Sequence, residues 1–348
     1  MDIGVFILVL GGLCALLLGW GFKSLPQERW QMLAAIPVRL SSSGYWRGIN
    51  LTYYGVFTAS ALLLAMILTM LLLSSIRISV GNIVALAAIV LVCALPAARL
   101  VATYVEGKAY GFTVGGASFV GMLVLPWAVV LINMFAGENR VMPIVPVLGA
   151  IAIAYAFGEG IGRLACISFG CCYGKALEKC PSWIQRLFSR YHFIFHGKNK
   201  KIAYASGLDC HKVVPIQAVT SIVYVASGLV SAVFFLTGHF RIAFALAIVA
   251  TQSWRAISEI FRSDYRGNQK ISAYQIMSVL AIVYMLGILW FVPTGQTHPV
   301  DLTLGLGALW HPGIVLLLQG IWIVVFLYTG RSMVTRSTIS FHVVEERI

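Results

Sequence analysis

Residues 145–181 read VPVLGAIAIAYAFGEGIGRLACISFGCCYGKALEKCP. From 145 to 167 the run is apolar apart from Glu159 and Arg163. That is long enough to cross a hydrocarbon layer, which takes about 20 helical residues. A Gly- and Cys-rich turn follows, and then a basic segment. Eight further apolar runs lie at 3–20, 51–74, 83–104, 114–136, 214–237, 242–260, 272–292 and 313–329. The runs at 242–260 and 313–329 are the marginal ones, in polarity or length. In lipid the backbone has no partner but itself, so runs of this kind form helices.

The whole composition agrees. Of the 348 residues 59% are hydrophobic and 11% charged, against about 25% charged in a soluble domain. The expected fold is an all-α integral membrane protein with about nine transmembrane helices. The first run lacks a basic start and a small-residue cleavage site, so it reads as a retained anchor helix. Seven cysteines in apolar surroundings do not make a disulfide scaffold.

The net charge of +13 is unevenly spread. With nine crossings, segments 21–50, 105–113, 172–213, 261–271 and the tail from 330 share one face and hold 19 of the 25 Lys and Arg residues. The other face holds Arg77, Arg140 and Arg241. The positive-inside rule makes the crowded face cytoplasmic. Contact with lipid phosphates is the other reading of this charge, and nucleic acid is not expected as a partner. Segment 172–213 is long, basic and aromatic, with Trp183, Phe188, Phe193 and Phe195, so it reads as a small head and not a linker. The tail has mixed charge and some alternation, which suits a surface segment or disorder.

Five ionisable residues sit in apolar runs: Arg99, Glu159, Arg163, Arg255 and Glu259. A charge at the bilayer centre costs about 2.5–3.5 kcal/mol on insertion scales, so each needs a reason to stay. Glu159 and Arg163 are four apart, as are Arg255 and Glu259, which suits two structural ion pairs on helix faces. Three arginines against two glutamates leave cationic forks over, and Arg binds phosphate bidentately. The cysteines and histidine Cys166, Cys171, Cys172, Cys180, Cys210 and His211 have a spacing that matches no standard zinc pattern. No metal and no cofactor is expected; small apolar packing beside glycine is the commoner role for such cysteines.

GRLACISFGCCYG (162–174) resembles the signature of the prolipoprotein diacylglyceryl transferase family. The resemblance continues in order through LTYYG (51–55), AARLVATY (97–104), GGASFVG (115–121), VPIQAVTS (214–221), WRAISEIFRSD (254–264) and ISAYQIMS (271–278). It implies a seven-helix core at 50–292 with the head 172–213 inserted. Residues 1–49 then form an extra anchor helix and basic loop, and 293–348 an extra helix and tail. It implies a transferase that moves diacylglycerol from phosphatidylglycerol to a lipoprotein cysteine in the bacterial inner membrane. The partners are then a phospholipid donor and a protein or lipid acceptor.

By the same resemblance Arg163 and Arg255 hold the donor phosphate and Glu259 orients Arg255. Tyr54, Arg99, Cys166, Cys171, Gly174 and Arg262 line the substrate site. The family pattern has asparagine where Cys166 stands, glutamate where Cys171 stands, and histidine where Val120 and Val214 stand. The phosphate-binding half is therefore kept, and the usual proton carriers are replaced. Two alternatives remain beside this function: a cytoplasm-facing transferase with a different acceptor, and a lipid transporter or flippase. Transporters commonly carry internal repeats, and the chain shows none.

Overall fold

The computed structural model describes residues 2–106, 113–135, 141–264, 271–295 and 297–348. Lys108, Arg140, Arg266 and Lys270, counted above as loop charges, lie outside these residues. All nine apolar runs are helices: α1 (Ile3–Ser24), α2 (Tyr53–Ser75), α3 (Val80–Glu106), α4 (Val114–Phe135), α5 (Ile144–Phe169), α8 (Ile216–Leu236), α9 (Phe240–Ser258), α10 (Ala273–Phe291) and α12 (Pro312–Gly330). Among the described residues eight of these are long and apolar enough to span; α9, the most polar, falls short by composition. The protein is a multi-pass, all-α membrane protein in its helical body.

Local signals set the helix ends. Asp2 caps α1 by accepting the Val5 N–H at 3.2 Å. Ser272 and Gln275 form a reciprocal capping box at the start of α10, which satisfies two otherwise orphaned donors. Pro312 opens α12 at its first position, where its missing N–H costs nothing. Pro96 and Pro126 lie inside α3 and α4, as membrane helices tolerate.

Helix α5 is the central post. Nearly three quarters of its span (72%) is buried, with α2, α8 and α9 packed around it. Helix α1 lies against α8 and α5, α12 lies on α2, and α3, α4 and α10 form the remaining wall. A short helix α11 (Leu302–Leu309) also packs on α2.

Contacts between connections sort them onto two ends of the bundle, as alternation requires. At one end Lys200 reaches Leu25, the His196 N–H reaches Pro26, and the Lys175 N–H reaches Phe261. At the other the Asp301 N–H reaches Ser75, and Arg241 reaches the carbonyls of Leu289 and Val292.

Two regions differ from the expectations above. Segment 21–50 and the tail are not plain connections. They form a three-stranded antiparallel sheet of β1 (Met32–Leu40), β2 (Trp46–Thr52) and β5 (Arg331–Ile339), with β2 in the middle. Asn50 ties it by donating to Thr335 Oγ1 at 3.0 Å. The head does fold. Strand β3 (Phe193–Ile194) pairs with β4 (Lys212–Val213), flanked by the short helices α6 (Ser182–Leu187) and α7 (Lys201–Ser206). Phe193 and Phe195 join the main core, whereas Trp183 is 60% exposed and anchors nothing inside.

Candidate functional site

The end of α5 is where the chemistry gathers. Glu159 and Arg163, one turn apart, form an ion pair, with side chains only 10% and 12% exposed. Arg255 enters from α9. Its guanidinium lies 3.9 Å from the same Glu159 carboxylate. It also donates to the Tyr155 hydroxyl at 2.8 Å and to Ser118 Oγ at 3.3 Å. Two cations therefore share one carboxylate. The Nε of Arg163 is buried and has no hydrogen-bond partner among the described residues. Gly115 makes room for this arrangement: a Cβ there would lie 2.9 Å from the Arg255 Nη2 and 2.7 Å from the Tyr274 ring.

The expected Arg255–Glu259 pair is replaced by another. Helix α9 ends at Ser258, and residues 259–261 wind into a tighter 3-10 turn. That turn carries Glu259 off the Arg255 face and toward Arg262, three residues on and 3.6 Å away. Arg262 also makes a bidentate pair with Asp264, both bonds 2.9 Å. Ser272 Oγ lies 3.5 Å from the second Glu259 oxygen. So Glu259 sits beside Arg262 rather than Arg255, and Arg262 is held between two carboxylates.

The Gly- and Cys-rich turn closes this end. Gly170, with φ 71°, ends α5 by returning its N–H to Cys166 and Ile167, and the Cys171 N–H reaches the Cys166 carbonyl at 3.0 Å. This doubled-back cap lays Cys171 over Cys166. Residues 173–176 then run extended between two neighbours. The Ser263 N–H donates to Tyr173 at 3.1 Å and the Lys175 N–H to Phe261 at 2.9 Å. On the opposite edge the Val214 N–H donates to Lys175 at 3.0 Å. Gly174 lies at the crossing, where a Cβ would be 2.3 Å from the Val214 carbonyl oxygen. Only a residue without a side chain lets these backbones approach so closely.

Tyr54, in the first turn of α2, packs edge-on against Phe169 with ring centroids 5.6 Å apart. It lies within electrostatic reach of Cys166, Cys171, Cys172 and Glu159. The sulfurs of Cys166, Cys171 and Cys172 all lie within 4.8 Å of one another. Contact with the Cys166 and Cys172 sulfurs, then burial, holds the Cys171 thiol well above its usual pKa. Arg99 stands apart: exposed on α3, it donates to the Tyr328 hydroxyl on α12 at 2.8 Å. The arginines expected at one site thus divide into Arg163 with Arg255, Arg262 in its own cluster, and Arg99 near α12.

Sequence reasoning missed Tyr155, Ser118, Gln217 and Asp264. Tyr155 was within reach of it, four residues before Glu159 on the same helix face. Ser118 lies inside the quoted GGASFVG stretch. Gln217 is buried, donates to the Cys171 carbonyl at 3.0 Å, and its Oε1 has no hydrogen-bond partner among the described residues. Val214, where the resemblance expects a histidine, is buried with Leu177, Cys180, Ile184 and Ile216. A surface hollow of about 410 Å³ is lined by Arg241, Ile242, Ala245, Leu246 and Val249 at the far end of α9. It is apolar and open, and its lining lies about 9–21 Å along the helix from Arg255, at about 1.5 Å per residue.

A family model described as prolipoprotein diacylglyceryl transferase matches residues 45–291. No curated protein matches the chain. The match covers well over half of the sequence, so the chain belongs to the prolipoprotein diacylglyceryl transferase family. It is a multi-pass membrane transferase of lipoprotein biosynthesis.

Proposed function

We propose that the protein takes its diacylglyceryl group from phosphatidylglycerol, with the donor phosphate between Arg163 and Arg255. One observation carries this reading. Two buried guanidiniums share the single carboxylate of Glu159, which leaves one positive charge over and an unpaired Nε on Arg163. A phosphodiester supplies the missing charge and the missing acceptor. Arg suits this role because its planar fork matches phosphate oxygens two at a time.

The reaction is a displacement. The acceptor cysteine sulfur attacks the glycerol carbon that carries the phosphate ester. The C–S bond forms as the C–O bond breaks, and the electron pair leaves on the phosphate oxygen. The acceptor's thiol proton ends on the departing glycerol phosphate or in solvent. Negative charge on the phosphate grows along this path, so fixed cations stabilise the transition state more than the ground state. The Tyr155 and Ser118 bonds hold Arg255 in place for this. Tyr54, Cys166, Cys171 and Gly174 form the wall where the acceptor enters. Arg262, with Glu259 and Asp264, braces that wall from behind, and Arg99 meets headgroups at its edge.

The test uses purified protein with labelled phosphatidylglycerol and a cysteine peptide acceptor. Arg163→Ala and Arg255→Ala are each expected to lose glycerol phosphate release while staying in the membrane. Full activity in both variants sinks the proposal.

The charge count favours a second reading, in which the site faces the cytoplasm and serves a different acceptor. Sixteen Lys and Arg residues of the described connections lie at the site's end of the bundle, against Arg77 and Arg241 at the other, whereas a secreted prolipoprotein is met at the outer side of a bacterial inner membrane. Cys210 is exposed on the head and Cys180 is buried, so Cys210 is the probe of side. Labelling of Cys210 in intact cells by an impermeant thiol reagent places the site outside. Labelling only after lysis places it inside.

A further inference from the structure

We propose that Cys166, Cys171 and Cys172 form a three-thiolate site for a soft, thiophilic metal ion of the Zn(II), Cd(II) or Cu(I) kind. The sequence spacing matches no zinc pattern, because C-x4-CC counts residues along a chain that turns back on itself. The α5 cap brings Cys171 over Cys166. Cys172 then takes φ 56°, a left-handed conformation that residues with side chains seldom adopt, and its sulfur joins the other two. All three sulfurs lie within 4.8 Å of one another.

That separation suits a shared ion. With metal–sulfur bonds of about 2.3 Å, three sulfurs around one ion stand about 4.0 Å apart in a plane and about 3.8 Å apart on a tetrahedron. A disulfide would need two sulfurs at about 2.0 Å and would leave the third outside. Thiolate is also the ligand that selects soft ions over Mg or Ca.

The surrounding charge points the same way. Three thiolates around a divalent ion carry one net negative charge, and around a monovalent ion two. Arg163 lies within electrostatic reach of Cys166 and Cys172, Arg262 of Cys172, and Lys201 of Cys171 and Cys172. An anionic metal–thiolate unit there faces Arg163 and Lys201, whereas the charge of Arg262 is already matched by Glu259 and Asp264. Cys166 and Cys172 are half-buried and not sealed, which leaves an ion a way in.

The proposal does not rest on the transfer reaction, because metal binding is read without lipid substrate. Full-length protein in detergent, kept reduced with a phosphine, is titrated with Cd(II) alone. The readout is the ultraviolet thiolate-to-cadmium absorption together with proton release. The wild type is expected to bind one Cd(II) per chain with loss of thiol protons. Cys166→Ser and Cys172→Ser should each bind at least about tenfold more weakly, and Cys210→Ser should bind as the wild type does. Thermal unfolding of each variant in the same detergent separates a lost ligand from a lost fold. Absence of the absorption in folded wild type overturns the proposal. So does an undiminished signal in the Cys166→Ser/Cys171→Ser/Cys172→Ser triple variant.

Discussion

Two arginine clusters lie at the same end of the bundle, and their stoichiometry is opposite. At the α5–α9 crossing two arginines share one acid, Glu159. Just beyond α9 one arginine, Arg262, serves two acids, Glu259 and Asp264. Both clusters are well buried, and the stretch 254–264 contributes to each. The first is a cation short of a partner and suits an incoming anion. The second has no positive charge to spare and suits a brace. An arginine inside a membrane protein is therefore informative only together with the acids that reach it.

The comparison breaks first at Arg262. Replacing it with alanine takes from Glu259 and Asp264 the guanidinium that both face, which costs about 3–5 kcal/mol. Thermal unfolding in detergent should show a large drop, while transfer per folded molecule falls far less. A loss of transfer with unchanged unfolding temperature reverses the roles assigned to the two clusters. Next is Arg255→Ala, expected to lower the transfer rate about 10²–10³-fold, the usual cost of removing one preorganised donor to a growing negative charge. Its unfolding temperature should move less than that of Arg262→Ala.

Gly174→Ala tests the wall between the clusters. The added methyl meets the Val214 carbonyl oxygen, so the strand must shift, at about 1–3 kcal/mol. Both transfer and stability should fall, since the strand carries the turn on one side and residues 261–263 on the other. The smallest change at the site is Tyr155→Phe. It removes one hydrogen bond to Arg255, worth about 1.5–3 kcal/mol for a charged partner at most. Transfer should slow roughly tenfold, with little change in unfolding.

A buried lysine sharpens the contrast because among the described residues no acid lies within hydrogen-bond range of it. Lys200 is fully buried in the head and donates to the carbonyls of Leu25 at 3.1 Å and Ser168 at 2.7 Å. Burial pulls its pKa down from 10.5 to about 7, against a weaker opposing pull from Glu28. Above pH 7 the folded chain has released a proton that the unfolded chain still holds up to about pH 10.5. Stability therefore rises with pH through that window and is flat below it as far as this group is concerned. The slope should vanish in Lys200→Met, measured by unfolding temperature against pH.

The nine long helices were legible because each apolar run meets the one demand lipid makes of a backbone. Glu159 with Arg163 was legible too, since both lie inside a regular helix where a four-residue spacing means contact. Arg255 with Glu259 failed on the same rule because the helix tightens one residue after Ser258. The cysteine cluster was illegible because a left-handed glycine reverses the chain between its members. The sheet was hidden for another reason. Strand β1, MLAAIPVRL, is almost wholly exposed and shows no alternation, and its neighbour β2 finds a second partner 285 residues away. No local pattern marks such a pairing. The assignment of Tyr54, Arg163, Gly174 and Arg255 to one neighbourhood came from the family resemblance, not from spacing.

Strand β2 leads straight into Tyr53 and Tyr54, and Thr52 donates to the Gly330 carbonyl at 2.9 Å. Its outer edge is covered by β5, which follows some 285 residues later in the chain. At about 5–20 residues per second, that edge stays open for roughly a quarter of a minute to a minute after β2 has emerged. The floor beneath Tyr54 is thus finished only after all nine long helices have been made. A chain that stops short of 331 keeps all nine long helices and reaches the membrane without that floor.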